Sequence, residues 1–505
     1  MPYSPENNPY IPGDPYSYDL KWIVARLKKM VAPEEAALRA EAAAAEAEKA
    51  ASIITSFVSP DMFGAVGNGV HDDTEAFQKA VDSGKPVCLL QNKSYLLKDT
   101  IVMKAGASDS RLIFSLANSI NSRLAQVVCD FDDNSKPIFN ILEDGYMFMN
   151  VTINAINNEN KDLTVFQLRR EVVTPDLGTP YYPVDVDFTL FNCSIFNADK
   201  CFNFTGRGLN VLNNLIARCN YIADIAWPGD EGDSGGVWHD DDTGMRGIRF
   251  ENNRFHSIGG SGGSLANTWS AIHVTSGNCY GFRFVGNIFD RGDCQLIAAE
   301  EDIDNWLISD NTFSGMRGGD AFFWAKADVN RLVFSDNIFT IPQASSTYNL
   351  VYVIRIFGNL TDSIISGNTI EQIRNGTFLW IKGNEDPTPF PMANCIISDN
   401  IISRVAANSI SRGMIHVPAG STIERCVITG NIVGYVTGGS SDYTILRVPG
   451  TAYLNYVVMQ DNVPYSSYDQ DYVLNACEAD HCKFDFPVGA ETTLTDTTVG
   501  YIPTP

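Results

Sequence analysis

One phrase, "RLVFSDNIF" (Arg331 to Phe339), is rewritten along much of the chain. "IRFENNRF" ends at Phe255, "FRFVGNIF" at Phe289 and "LISDNTF" at Phe313. "IISGNTI", "IISDNII" and "VITGNIV" end at Ile370, Ile402 and Val433. The recurring Asn residues are Asn253, Asn287, Asn311, Asn337, Asn368, Asn400, Asn431 and Asn462, at intervals of 34, 24, 26, 31, 32, 31 and 31 residues. Repeats of that length, each holding two or three short strands, indicate a solenoid. Every phrase has a β-branched or apolar run, a two-residue turn ending in Asn, and an apolar residue two places on. Stacked coils would gather those apolar residues into one interior column. The Asn residues would form a second column, each amide bonding turn backbone above and below. The phrase is therefore read as a corner that every coil must turn. Less regular corners are expected at "LFNCSIF" and "VLNNLI" (to Phe196 and Ile216). A dozen coils about 4.8 Å apart give a rod on the order of 60 Å long.

The 505 residues, 44% hydrophobic, are enough for a large core and more than one domain. A net charge of -24 repels phosphate backbones and anionic membranes, which argues against nucleic acid as a partner. A neutral or zwitterionic glycan meets no such repulsion. No apolar stretch approaches transmembrane length, so no membrane insertion is expected. Eleven scattered cysteines read as reduced, buried fillers of a chain made in a reducing cytoplasm. "CEADHC" (Cys477 to Cys482) matches no zinc pattern. The first residues, "MPYSPENNPYIPGDPYSYDLKW", have neither the basic start nor the apolar run of a signal peptide.

Four regions are expected. Residues 1–33 hold a Pro/Tyr/Asn-rich peptide and a short helix with Leu20, Ile23, Val24 and Leu27 on one face. In residues 34–59, Ala36, Ala40, Ala43, Ala47, Ala50, Ile54 and Phe57 trace a coiled-coil seam, the alternative being one amphipathic helix against a neighbouring domain. Residues 60–463 form the solenoid, and residues 464–505 a terminal cap or trimerisation segment. In "MFGAVGNGVHDDTEAFQKAV" (Met62 to Val81), Phe63 to Val66 reads as a short strand and Gly67-Asn68-Gly69 as a turn. Asp72, Asp73 and Thr74 then offer N-cap oxygens to a helix near residues 73–82, whose apolar face is Ala76, Phe77, Ala80 and Val81. Such a helix can plug the end of the solenoid.

That stretch resembles the opening motif of the pectate-lyase-like right-handed parallel β-helix superfamily, which includes many bacteriophage tailspikes. The family pattern is approximately F-G-A-x-G-D-G-x-x-D-D-T, with Asn68 here in place of the usual Asp. The resemblance implies an all-β, right-handed, single-stranded parallel β-helix. It implies no chemistry, because members include lyases, hydrolases and proteins that only bind. The N-terminal region also resembles the virion-attachment segments of phage tail proteins. Tailspikes of this fold are usually homotrimers, so the resemblance implies a homotrimer with an α-helical stalk, docked on phage tail or connector proteins.

The strands before the corners contain "AIHVT", "IAAEE", "FFWAKA", "VIRIF", "LWIKG", "MIHVP" and "ILRVP". Strict alternation sends Ile272, Val274, Ile354, Ile356, Leu379, Ile381, Ile415, Val417, Leu446 and Val448 inward. His273, Ala298, Trp324, Arg355, Trp380, His416 and Arg447 then form an outward column. Thr275, Glu300, Lys326, Phe357 and Lys382 form another, two residues on. Indole faces stack on sugar rings, while Arg, Lys and His donate hydrogen bonds to hydroxyls or carboxylates. The same alternation exposes Ala271, Leu296, Phe322, Val353, Phe378, Met414 and Ile445, and that apolar face calls for cover by a neighbouring subunit, beside which the glycan groove would lie.

Glycoside cleavage needs two carboxyl groups flanking the bond. Glu300 is the strand-borne candidate, with Glu301, Asp302 and Asp304 nearby. The irregular segment "WPGDEGDSGGVWHDDDTGMRG" (Trp227 to Gly247) supplies His239 and Asp240, the latter the candidate to face Glu300. No cofactor or metal is assigned, although carboxylates on Gly-rich loops also suit Ca²⁺. The expected function is a phage tailspike or tail appendage, made in the host cytoplasm and carried on the virion. It would bind a bacterial surface polysaccharide during host adsorption, with hydrolase or lyase activity left open. The alternatives are a non-catalytic structural or adhesive virion fibre and a cellular polysaccharide lyase or hydrolase.

Overall fold

The computed structural model describes residues 57–104, 111–116, 125–131, 135–155, 163–169, 185–226, 245–259, 270–275, 279–292, 295–316, 321–340, 352–374, 376–381, 392–406, 412–418, 420–437, 443–448, 452–464, 472–474 and 477–484. The expected Pro/Tyr peptide lies outside them, as does nearly all of the Ala-rich seam. The strands build four sheets of 9, 14, 15 and 13 strands, here called sheets I to IV, with parallel pairing throughout. The chain visits them in turn. Cys279–Tyr280 lies in sheet I, Arg283–Val285 in II, Ile288–Gly292 in III and Gln295–Ala299 in IV, and Ile303–Asp304 returns to I. Each strand pairs with its equivalent one coil later, as in Arg283↔Leu307 and Ile288↔Thr312. These sheets define a parallel β-helix. Sheet I begins at Met245–Arg246, so earlier coils use three sheets. The same ladders continue to Lys483–Phe484. No described helix is long and apolar enough to cross a membrane.

The corner between sheets II and III is built as the repeat implies. Phe255, Phe289, Phe313, Phe339, Ile370, Ile402 and Val433 are each at most 2% exposed. The residue before each Asn takes a left-handed conformation, with Asp336 at φ 55° and Gly367 at φ 67°. Only Gly, Asn and Asp adopt that conformation readily, which explains why those types alternate there. The Asn side chains form a continuous ladder that also takes in Asn214. Asn337 Oδ1 accepts from Asn311 N (3.2 Å) and Asn311 Nδ2 (2.9 Å). Its own Nδ2 donates to Ile308 O (2.9 Å) and Asn368 Oδ1 (2.9 Å). Cys193 takes the place of Asn one coil earlier, its N–H donating to Asn214 Oδ1 (2.8 Å).

The capping helix α1 (Thr74–Asp82) buries the four expected side chains Ala76, Phe77, Ala80 and Val81. Phe77 meets Tyr95 and Phe139 with ring centroids 6.3 and 6.2 Å away. Two local readings are corrected. Pro60–Phe63 is a 3₁₀ turn, and the strand is Asn68–Asp72, because Pro60 and the Ser59 cap favour a helical start and Gly64 (φ 101°) ends it. Asp73 occupies the N-cap position, but its carboxylate accepts from Val66 N (2.7 Å) and Gly67 N (3.1 Å) instead of from the helix. Asp72 caps Thr74 N (3.0 Å).

A third correction concerns sheet IV. Ala271, Leu296, Phe322, Val353, Phe378, Met414 and Ile445 are buried within the chain itself. Pairing passes directly from Ser270↔Gln295 to Ile272↔Ile297, so the skipped residue turns inward beside its neighbour. Phe322 accordingly packs on Phe313 and Phe339, with centroids 4.1 and 4.8 Å away. No partner is needed to cover these residues, and the argument that set the groove beside a subunit boundary falls with them. Beyond the skip, the ten residues expected inward are all buried. Nine of the eleven cysteines are buried thiols, and burial pushes Cys193 and Cys279 up to about 12.

Candidate glycan-binding face

The outer face of sheet IV carries the expected column in register. His273 pairs with Ala298, Ala298 with Trp324, Trp324 with Arg355, Arg355 with Trp380, Trp380 with His416 and His416 with Arg447. Ala298 is buried, and the others are half-buried. The five coils from Trp324 to Arg447 thus present an aromatic and cationic strip at one position of the strand. Its centre is held by rings. The Arg355 guanidinium carbon lies 4.6 Å from the centroids of Phe357 and Trp380, and 5.2 Å from that of Tyr352. Tyr352 and Trp380 stack at 4.3 Å with planes 10° apart. Trp324 meets Phe357 edge-on at 5.6 Å. The indole of Trp380 is thereby fixed in orientation. Partial burial of Arg355 lowers its pKa from the ordinary arginine value. Tyr352 escaped the sequence reading because it precedes the inward-turned Val353.

Toward the N-terminal coils the strip gives way to a chain of ion pairs. Lys200 pairs with Asp224. Asp224 Oδ1 lies 3.8 Å from His273 Nδ1, and His273 Nε2 lies 3.4 Å from Glu300 Oε1. Glu300 Oε2 accepts from Lys326 Nζ at 2.8 Å. Asp224 and Lys200 were not anticipated, since both precede the regular corners. Burial opposes ionisation of Glu300, but hydrogen bonds from Lys326 and His273 outweigh it and hold the carboxyl below the ordinary range. A carboxylate so held can act as a base or anchor, and is poorly suited to donate a proton. Its stabilising effect is present above the ordinary carboxylate range and is lost as pH falls through the folded pKa. Glu300→Gln should therefore melt below the wild type near pH 7, with the gap closing towards about pH 3. A gap independent of pH in thermal melts would assign the loss to packing instead.

The other candidates separate. Asp302 Oδ1 accepts from Asp328 N (2.9 Å), and Asp304 Oδ1 accepts from Arg331 Nε (2.6 Å), both fixing turns. Glu301 is exposed. His239, Asp240 and Lys382 lie outside the described residues. Among the described residues no group of three or more His, Cys, Asp or Glu side chains is placed to hold a metal ion.

No family model matches the chain, and no curated protein matches it. Solved structures do. The pre-mature bacteriophage phi29 gene product 12 is 11% identical, with 86% of this chain and 73% of that one covered and a TM-score of 0.38. Bacteriophage CBA120 tailspike protein 3 is 12% identical, with 83% and 61% covered and a TM-score of 0.34, so this chain spans about three-fifths of its length. DFA-IIIase from Arthrobacter chlorophenolicus A6 without its lid is 11% identical, with 81% and 98% covered and a TM-score of 0.41.

Proposed function

We propose that this chain is a bacteriophage tailspike or tail appendage that holds a bacterial surface polysaccharide along the outer face of sheet IV. In this reading it is a homotrimer on the virion, attached to the tail through its first residues and made in the host cytoplasm. The observation that carries the proposal is the alignment of Trp324, Arg355, Trp380, His416 and Arg447 on consecutive coils. The coil spacing of about 4.8 Å is close to the length of a pyranose residue, so successive sugars could meet successive side chains. The motif at Met62 to Val81 adds the likeness to tailspikes. Cleavage would require Glu300 as base or nucleophile with a second carboxyl group, for which Asp240 is the candidate.

The test mixes the purified protein with surface polysaccharide from candidate host bacteria and follows the polymer by size-exclusion chromatography. Shortening of the polymer establishes an enzyme, and co-elution at constant length an adhesin. Trp324→Ala should weaken co-elution by about two- to thirteenfold, from a stacking contribution of about 0.5–1.5 kcal/mol. Full binding by a folded variant would remove Trp324 from the site.

A further inference from the structure

We infer that Cys395 and Cys426 form a cross-linking site, where oxidation by a small-molecule disulfide joins two neighbouring coils covalently. Both residues sit at the corner between sheets I and II, one place before the strands Ile396–Ser398 and Val427–Thr429. Ala393 pairs with Glu424 and Ile396 with Val427, so Cys395 and Cys426 face each other across one rung. A rung of about 4.8 Å falls within the Cα separations of about 4.4–6.8 Å that a disulfide spans. The two side chains also converge on one sheet I strand. Cys395 Sγ lies 3.2 Å from Ala393 O, and Cys426 Sγ lies 3.5 Å from Met392 O, the carbonyl before it. No other described cysteine has this placement. Cys482 holds the same corner position two coils on, with Val457 between it and Cys426. The thiols of Cys201 and Cys219 are hydrogen-bonded, but Cys201 stands opposite Ile222, which leaves the two out of register. The remaining four described cysteines face Phe114, Leu97, Asn214 and Ile303 across a rung.

The contact also sets which sulfur reacts first. A hydrogen bond from Cys395 holds the Cys426 thiol below the ordinary cysteine value against the effect of burial. The same contact, with burial, pushes Cys395 up. Cys426 is therefore the first to ionise and the attacking sulfur. Its thiolate displaces one thiolate from the small-molecule disulfide and forms a mixed disulfide. Cys395 then attacks Cys426 Sγ and displaces the second thiolate. The two protein thiols give up two protons, which the two released thiolates take. The protein pair is oxidised and the small disulfide is reduced. The ring closed by the new bond runs through Ile396–Ser398, Ile401–Ala406, Arg412–His416 and Thr422–Glu424, one whole coil. It carries His416 of the sheet IV strip. Each coil of a solenoid is held by its neighbours alone, so a bond across one rung restrains the local opening of that coil. Both thiols are buried, so the exchange itself proceeds through such an opening.

The test uses the full wild-type chain. It is incubated with oxidised glutathione in urea stepped up to the unfolding transition, so that single coils open. The remaining thiols are alkylated after complete unfolding and counted by mass, and peptide mapping locates any link. The expected result is nine alkylated thiols in place of eleven, with Cys395 joined to Cys426. Hydrogen exchange of the Val427–Thr429 amides should then be at least about tenfold slower than in the reduced chain. Eleven alkylated thiols at every urea concentration, or a link between other cysteines, overturns the site. A glutathione adduct that stays on Cys426 overturns it too, because Cys395 then fails to reach. A Cys395–Cys426 link that leaves exchange unchanged overturns the restraint on the coil.

Discussion

Asn337→Ala should lower the stability of the β-helix by about 4 kcal/mol, far more than truncating an exposed polar residue. The side chain is fully buried and makes four hydrogen bonds. Removing it leaves the Asn311 backbone N–H without its acceptor in a place water does not reach. Stranding such a group costs about 1–3 kcal/mol. The three other bonds contribute roughly 0.5–1.5 kcal/mol each, since Asn311 Nδ2 keeps its bond to Phe284 O. Asn337→Asp should do no better at neutral pH, because it sets a carboxylate against Ile308 O and Asn368 Oδ1. Asn462, near the far end of the ladder, is only half-buried. Water can replace its bonds, and Asn462→Ala should lose about 1 kcal/mol. Urea unfolding of the variants side by side gives the comparison. Equal losses at 337 and 462 would mean that the ladder adds no more than a surface turn does.

The ladder, the interior column and the capping helix were legible because each is a spacing that one chain repeats. Every coil must turn the same left-handed corner, so the same residue types return there. The outward column of sheet IV was legible for the same reason, and its register agrees residue by residue from His273 to Arg447. The skipped pair at Ala271 and its equivalents was not legible. A two-residue period contains no sign that a strand bends from one sheet into the next, and an inward Phe322 looks like an outward one in sequence. That single irregularity made a row of core residues read as an apolar outer face. The exposed aliphatic side chains of sheets II and III, among them Ile364, Ile396, Ile401 and Ile432, were passed over because they read as ordinary strand formers until their exposure is known. The ion chain through Asp224 depends on coils that precede the regular phrase, where no alignment was available.

The second large effect is expected at the other end of the solenoid. Phe77→Ala should destabilise the first coils by about 3–5 kcal/mol, the usual range for emptying a buried aromatic site. Phe77 is fully buried, on the face of α1 that closes the interior stack. Beneath it Phe139, Phe148, Phe166, Phe188 and Phe202 continue the column at centroid distances of 4.9 to 5.9 Å, apart from a 6.3 Å step between Phe188 and Phe202. Without the plug the top of that column meets water. Each coil touches only its neighbours, so the damage should stay local. Hydrogen exchange should quicken across the strands from Asn68–Asp72 to Phe139–Ile141, while Ile396–Ser398 and Val427–Thr429 keep wild-type protection. Under the proposed function polysaccharide binding should persist, because the Trp324 to Arg447 strip lies coils away. Uniform loss of protection along the chain would show one cooperative unit instead. Loss of binding in a variant still folded beyond Lys200 would assign the Met62 to Val81 motif a part in recognition, where its Asp72 and Asp73 otherwise serve to hold a loop and start a helix.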